Sequence, residues 1–136
     1  MDDVVLNKAA TIERCIARVR EVYAGDPDNL RNDALRQDSI VLNLQRACEA
    51  GIDLAMHRVR KHRLGIPQES RAAFELLVEA GRLDAGLAVS LMAMVGFRNV
   101  AVHDYTRLNL DIVLAIIETH TVDLLAFAAH SVRAET

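Results

Sequence analysis

A chain of 136 residues makes one domain, residues 1–136, long enough to bury roughly two-thirds of the surface it exposes when unfolded, and 51% hydrophobic with 26% charged residues is a globular composition. A net charge of −3 supplies no global pull on nucleic acid, so any RNA contact must use a local patch. Aromatics at 4%, with no Trp, exclude a platform that stacks single-stranded bases on exposed rings.

The acidic start Met1-Asp2-Asp3-Val4 lacks the apolar core of a signal peptide. Val5, Ala9, Ile12, Ile16, Val19 and Tyr23 then recur at steps of four and three, which predicts a first amphipathic helix. Their near-heptad spacing leaves room for a helix-on-helix interface with a partner. Gly25-Asp26-Pro27-Asp28-Asn29 ends this helix, because Pro27 cannot continue it and disfavours helical backbone at Asp26. A second helix carries Ile40, Leu44, Ala47, Cys48, Gly51, Ile52, Ala55 and Val59, and stops near Gly65-Ile66-Pro67. A third, Arg71 to Ala80, ends at Gly81, a residue suited to the left-handed backbone after a helix. Asp84 suits the N-cap of a fourth. Its uncharged run, Gly86 to Phe97, is shorter than the roughly 20 residues that span a bilayer. Asn109 caps a fifth, whose stripe holds Val113, Ile116, Ile117, His120, Leu124 and Phe127. No alternating β pattern survives, so the expected fold is all-α, an antiparallel bundle of four to five helices. Cys15 and Cys48 have neither metal nor disulfide spacing and read as small buried thiols, which points to the cytoplasm.

The fourth helix runs into Arg98-Asn99-Val100-Ala101-Val102-His103-Asp104-Tyr105. Arg98 and Asn99 continue the apolar stripe of Ala88, Leu91, Met92, Val95 and Val102, where the period asks for Leu or Val. A guanidinium is expensive to bury unless it is paired or hydrogen-bonded, so this position calls for a compensating role. The residue types suit RNA cleavage. RNA carries its own nucleophile, the 2′-OH, beside the scissile phosphate. An imidazole such as His103 suits the proton transfers near neutral pH. A guanidinium such as that of Arg98 suits bidentate phosphate contact. Asn99 is placed to orient the phosphate or His103, and Asp104 to fix the imidazole tautomer. This scheme calls for no divalent metal and no cofactor, and H-E-x-x-H, P-loop and zinc patterns are absent from the sequence.

Five residues turn about 500° on an ideal helix, which leaves Arg98 and His103 about 140° apart. One unbroken helix therefore cannot aim both at one phosphate. Either the helix loosens near His103, or two protomers supply a composite site across a two-fold axis.

Set in this helical order, the R-x4-H-x-Y spacing of Arg98, His103 and Tyr105 resembles the motif of the HEPN superfamily, in particular the HepT-like toxins of MNT/HEPN toxin–antitoxin pairs. The segments Asp38-Ser39-Ile40-Val41-Leu42-Asn43-Leu44 and Glu49-Ala50-Gly51-Ile52-Asp53-Leu54-Ala55-Met56-His57 match that family in order. So do Pro67 followed by Phe74, and the lead-in Met94-Val95-Gly96-Phe97-Arg98-Asn99. The resemblance covers about Asp2 to Phe127. It implies a HEPN-like homodimer with two motifs facing one cleft. It further implies an endoribonuclease with Arg98 and His103 as catalytic residues and Asn99 in support, held inactive by a nucleotidyltransferase-fold antitoxin. Tyr105 becomes the implied target of adenylylation by that antitoxin; otherwise its ring simply packs at the cleft rim.

Elsewhere, His57-Arg58-Val59-Arg60-Lys61-His62-Arg63 is the densest positive run. Arg58, Arg60, Lys61 and Arg63 are candidates for the RNA backbone, although cations near a helix C-terminus also complement its dipole. His57, His62, His120 and His130 read as surface or helix-end histidines. Asp26, Asp28, Asp33 and Asp38 read as turn and cap residues. The alternative function is a catalytically silent helical module that dimerises and docks a nucleotidyltransferase.

Overall fold

The computed structural model describes residues Met1–Thr136. Its helices are α1 (Asp3–Tyr23), α2 (Asp28–Arg31), α3 (Ala34–Lys61), α4 (Ser70–Glu79), α5 (Ala85–His103) and α6 (Leu110–Glu135), and no strand is present. A single 3-10 turn, Tyr105–Arg107, joins α5 to α6. Capping sets four of the starts. Asp2, Asp33, Asp84 and Asn109 accept from the backbone N–H of Val5, Arg36, Leu87 and Asp111 at 3.2, 3.1, 2.9 and 2.9 Å, satisfying donors that the first turn leaves free. After α4, Gly81 takes φ +70°, and the N–H groups of Gly81 and Arg82 close back on the carbonyls of Val78 and Leu77, both at 2.9 Å. The helix α2 has only four residues, too few to show a period in the sequence, yet it fully buries Leu30.

Contacts at the helix ends give the directions. Asp2, before α1, meets His57 and Lys61 at the end of α3, and Tyr23 at the end of α1 meets Glu118 of α6. Tyr105, past the end of α5, meets Asp38 near the start of α3, while Glu135 at the end of α6 meets Arg58 near the end of α3. So α1 and α5 run one way and α3 and α6 the other, an antiparallel four-helix arrangement with α4 packed between α3 and α5. The core lies along the α1–α3 seam and under α6, where Ile12, Ile16, Leu44, Leu54, Leu124 and Phe127 are shut off from solvent. Phe127 meets Phe74 of α4 edge-on, with ring centroids 5.6 Å apart. At Gly51 the Leu124 side chain of α6 packs close on α3, and a β-carbon there would stand 3.2 Å from Leu124 Cδ2.

Two expectations change. The stripe of α1 is buried inside the bundle, mainly against α3 and α6, so it offers no partner interface. In α6, His120 stays half-exposed and Thr121 takes its place in the buried face. The reason is a π-helical turn over Ile116–His120, which inserts extra backbone and shifts the phase of the stripe. By length and composition alone α5 and α6 are each long and apolar enough to cross a membrane; here each turns one face into the bundle core.

Candidate active site

The helix α5 continues unbroken through His103, so it does not loosen between Arg98 and His103 and the two side chains leave on different faces. Arg98 lies half-buried against α4, where its Nη2 donates to Ser70 Oγ at 3.2 Å. Its Nε is buried and finds no acceptor, and no carboxylate reaches it as an ion-pair partner. An orphaned buried donor of this kind costs about 1–3 kcal/mol. The packing does not explain the residue, which is what a functional arginine predicts. A second guanidinium flanks the same stretch: Arg71 donates from Nε to the carbonyl of Met92 at 3.2 Å. Its tip passes over Gly96, where a β-carbon would lie 3.1 Å from Arg71 Nη2. On the other side, burial pushes the Cys48 thiol up to about 12, with the Arg98 charge pulling the opposite way, so Cys48 is an inert core thiol.

His103 is the last residue of α5 and is exposed. The chain has five histidines, and four are held: His57 by Asp2 at 2.8 Å, His62 by Glu135 at 2.7 Å, His120 by Asp123 at 3.1 Å and His130 by the carbonyl of Arg82 at 2.9 Å. His103 alone has no partner, and both ring nitrogens are open. Asn99 is half-buried with its amide uncommitted within the chain. Asp104 does not engage the imidazole: its carboxylate pairs with Arg107 at 3.3 Å, because the 3-10 turn brings that side chain back over it. Tyr105 is 40% exposed and donates its hydroxyl to Asp38 Oδ1 at 2.7 Å. Burial, and then the Asp38 hydrogen bond and charge, push this phenol up to about 12. Val102, expected in the apolar stripe, is instead 45% exposed beside the motif, and Ala101 is buried in its place.

The basic run is elsewhere. Arg58 to Asp38 is 20 residues of α3, about 30 Å of helix, so the run and the motif sit at opposite poles. Arg58 is fully buried, donating from Nε to Glu135 Oε2 at 2.8 Å, from Nη1 to Ser131 Oγ at 3.1 Å and from Nη2 to the carbonyl of Arg82 at 3.1 Å. It cannot contact an RNA backbone, and that expectation is corrected. Lys61 reaches Asp2 at 3.0 Å and the carbonyl of Glu135 at 3.2 Å. Of the four candidate cations in that run, only Arg60 and Arg63 remain without an acidic partner. The two chain ends supply the acids. They lie far from the run in sequence, so neighbours along the chain gave no sign of the pairing. Asp38, read from the sequence among the turn and cap residues, stands instead inside α3, outside the Arg98–His103 pair, and accepts from Tyr105. No set of three His, Cys, Asp or Glu side chains stands close enough to hold a metal ion.

An all-α bundle that carries an unpaired arginine, a free imidazole and an accessible tyrosine at the C-terminal end of one helix has the form of a HEPN-type protein. The ribonuclease HepT-like family profile matches residues 12–131, and the chain belongs to that family. It is 50% identical over 127 residues to the mRNA nuclease HepT of Shewanella oneidensis strain MR-1, covering 93% of this chain and 95% of that one. The fold matches the structure of a tri-AMPylated S. oneidensis HEPN toxin in complex with MNT antitoxin, with a TM-score of 0.91 and 48% identity over 98% of this chain and 99% of that one. It also matches a toxin–antitoxin crystal structure with AMP-PNP, with a TM-score of 0.91 and 47% identity over the same shares of the two chains.

Proposed function

We propose that this chain is the toxin of a toxin–antitoxin pair, a cytoplasmic, metal-independent endoribonuclease that works as a homodimer and is neutralised by a nucleotidyltransferase-fold antitoxin. The observation that carries the reading is the contrast among the histidines: four are tied into the fold, and His103, beside an arginine without an acidic partner, is free. His103 takes the proton from the 2′-OH or gives one to the departing 5′-oxygen, and Arg98, helped by Asn99, stabilises the charge that develops on the phosphate. The continuous helix between Arg98 and His103 favours a site completed by a second protomer. Ahead of the motif on α5, Val89, Ala93 and Met94 line an apolar groove of about 410 Å³ with Ile112 and Ile116 of α6, a surface suited to that second copy. Tyr105 is the residue that the antitoxin adenylylates. The added AMP brings bulk and about one negative charge to the mouth of a phosphate-binding site, opposing RNA by sterics and repulsion.

The test is cleavage of an RNA substrate by purified protein in excess EDTA, with product ends mapped. Activity is expected to persist and to leave 2′,3′-cyclic phosphate or 3′-phosphate ends, since the 2′-OH is the nucleophile. Products with 3′-OH ends, or strict dependence on magnesium, would point to a different reaction. A folded dimer that cuts nothing would leave only a docking module.

A further inference from the structure

Among the acidic side chains at the start of α3 and in the turn after α5, Asp38 is distinct. Asp33 and Asp104 are occupied by Arg36 and Arg107, both at 3.3 Å. Asp38 enters no ion pair, and its side-chain partner is the hydroxyl of Tyr105, which donates to Oδ1 at 2.7 Å across the gap between the 3-10 turn and α3. We infer that Asp38 is the general base that activates Tyr105 for nucleotide transfer, so that the acceptor protein brings part of the catalytic machinery for its own modification. The inference rests on Tyr105 being the adenylylated residue.

The chemistry needs such a group. A phenol is a weak nucleophile while it holds its proton, and Tyr105 is pushed away from ionisation, up to about 12, by burial and by the neighbouring carboxylate. In the transfer from a nucleoside triphosphate, a bond forms between Tyr105 Oη and the α-phosphorus as the bond from that phosphorus to the bridging oxygen breaks. Pyrophosphate leaves with the electron pair, and the phenol proton passes to the Asp38 carboxylate. Asp38 is already in line to receive it, on a helix whose start is pinned by its own N-cap at Asp33. The ring is 40% exposed and itself lines a pocket of about 360 Å³ with Gln37, Thr106, Leu108 and Leu110, through which a donor held by another protein can approach. The product has no phenolic proton, so modification also removes the hydrogen bond to α3.

The experiment is AMP transfer from ATP by the nucleotidyltransferase antitoxin, followed by intact mass over a range of antitoxin concentrations up to saturation, for wild type, Asp38→Asn, Asp38→Glu and Tyr105→Phe. Asparagine still offers an oxygen to the phenol but cannot take its proton. The saturated rate for Asp38→Asn is therefore expected to fall about 10²-fold, with half-saturation by antitoxin unchanged. Asp38→Glu should recover most of the rate, and RNA cleavage by Asp38→Asn should match wild type. Transfer to Asp38→Asn at the wild-type rate would overturn the inference and place the base on the antitoxin. A change confined to half-saturation would also overturn it, since Asp38 would then only dock the partner. Absence of any adduct on wild-type Tyr105 removes the underlying reading itself, a result distinct from both.

Discussion

Arg98 costs the fold energy and His103 costs it nothing, and that difference separates their expected mutant behaviour. His103 is exposed and unbonded, so His103→Ala should leave helicity and the thermal midpoint unchanged while cleavage falls by 10²-fold or more. Undiminished cleavage by the folded variant would remove the mechanism. Arg98 carries a buried Nε without an acceptor. Arg98→Met keeps the apolar stem and drops that orphan, so it should raise the urea unfolding free energy by about 1 kcal/mol while abolishing cleavage. A destabilised Arg98→Met protein would instead mark the guanidinium as structural. Tyr105→Phe loses the Asp38 hydrogen bond but no cleavage group; it should cut RNA normally and escape inactivation by antitoxin plus ATP.

At the level of elements, the end of α3 holds the chain together. Arg58, Lys61, His57 and His62 gather Asp2 from ahead of α1 and Glu135 from the end of α6. Removing one member of a buried pair strands its partner, so Arg58→Ala should cost about 3–5 kcal/mol in urea unfolding, while Arg60→Ala, on an exposed residue, should cost almost nothing. The clasp also sets an acid limit. Burial pushes the Glu135 carboxyl up, but hydrogen bonds from Arg58 and His62 and their charges more than reverse this, bringing it from 4.5 to about 2. Asp2 is held well below the usual carboxylate range, first by its hydrogen bond with His57 against the opposing effect of burial, with Lys61 and the Val5 N–H adding to it. Both folded-state values lie below the unfolded ones. Their stabilisation is therefore complete above about pH 4.5 and is lost as pH falls towards 2. Urea midpoints between pH 6 and pH 2 check this. Wild type should lose stability steeply across that window and Glu135→Gln, already weakened, more gently; parallel curves would assign the acid loss to other groups.

Across the whole molecule, the proposed site draws on two copies, and complementation tests it. An Arg98→Ala protomer still offers His103, and a His103→Ala protomer still offers Arg98. If each site takes one residue from each protomer, mixing the two inactive variants under subunit exchange restores one intact site in every mixed dimer. Activity should then return to about a quarter of wild type, because about half of the dimers are mixed and each has one of its two sites intact. A mixture that stays inactive despite proven exchange would place Arg98 and His103 of a single chain at one phosphate.

The sequence alone was sufficient for whatever depends on neighbours within a turn or two. Apolar stripes gave the long helices, Asp84 and Asn109 gave two starts, Gly81 gave an end, and Arg98, His103 and Tyr105 at their spacing gave the family. It also gave the 140° problem, which is only a property of helical pitch. What it could not supply were pairings between groups far apart along the chain, since no local pattern encodes which distant acid meets which base. The bundle decided that Arg58 is a core residue held by Glu135, that His103 is the histidine left free, and that Asp38 faces the Tyr105 hydroxyl. It also decided the phase of α6, where one π turn exchanged Thr121 for His120 in the buried face. Side-chain chemistry and helical period are local quantities, whereas burial and partnership arise only when helices pack, and the site is defined by both.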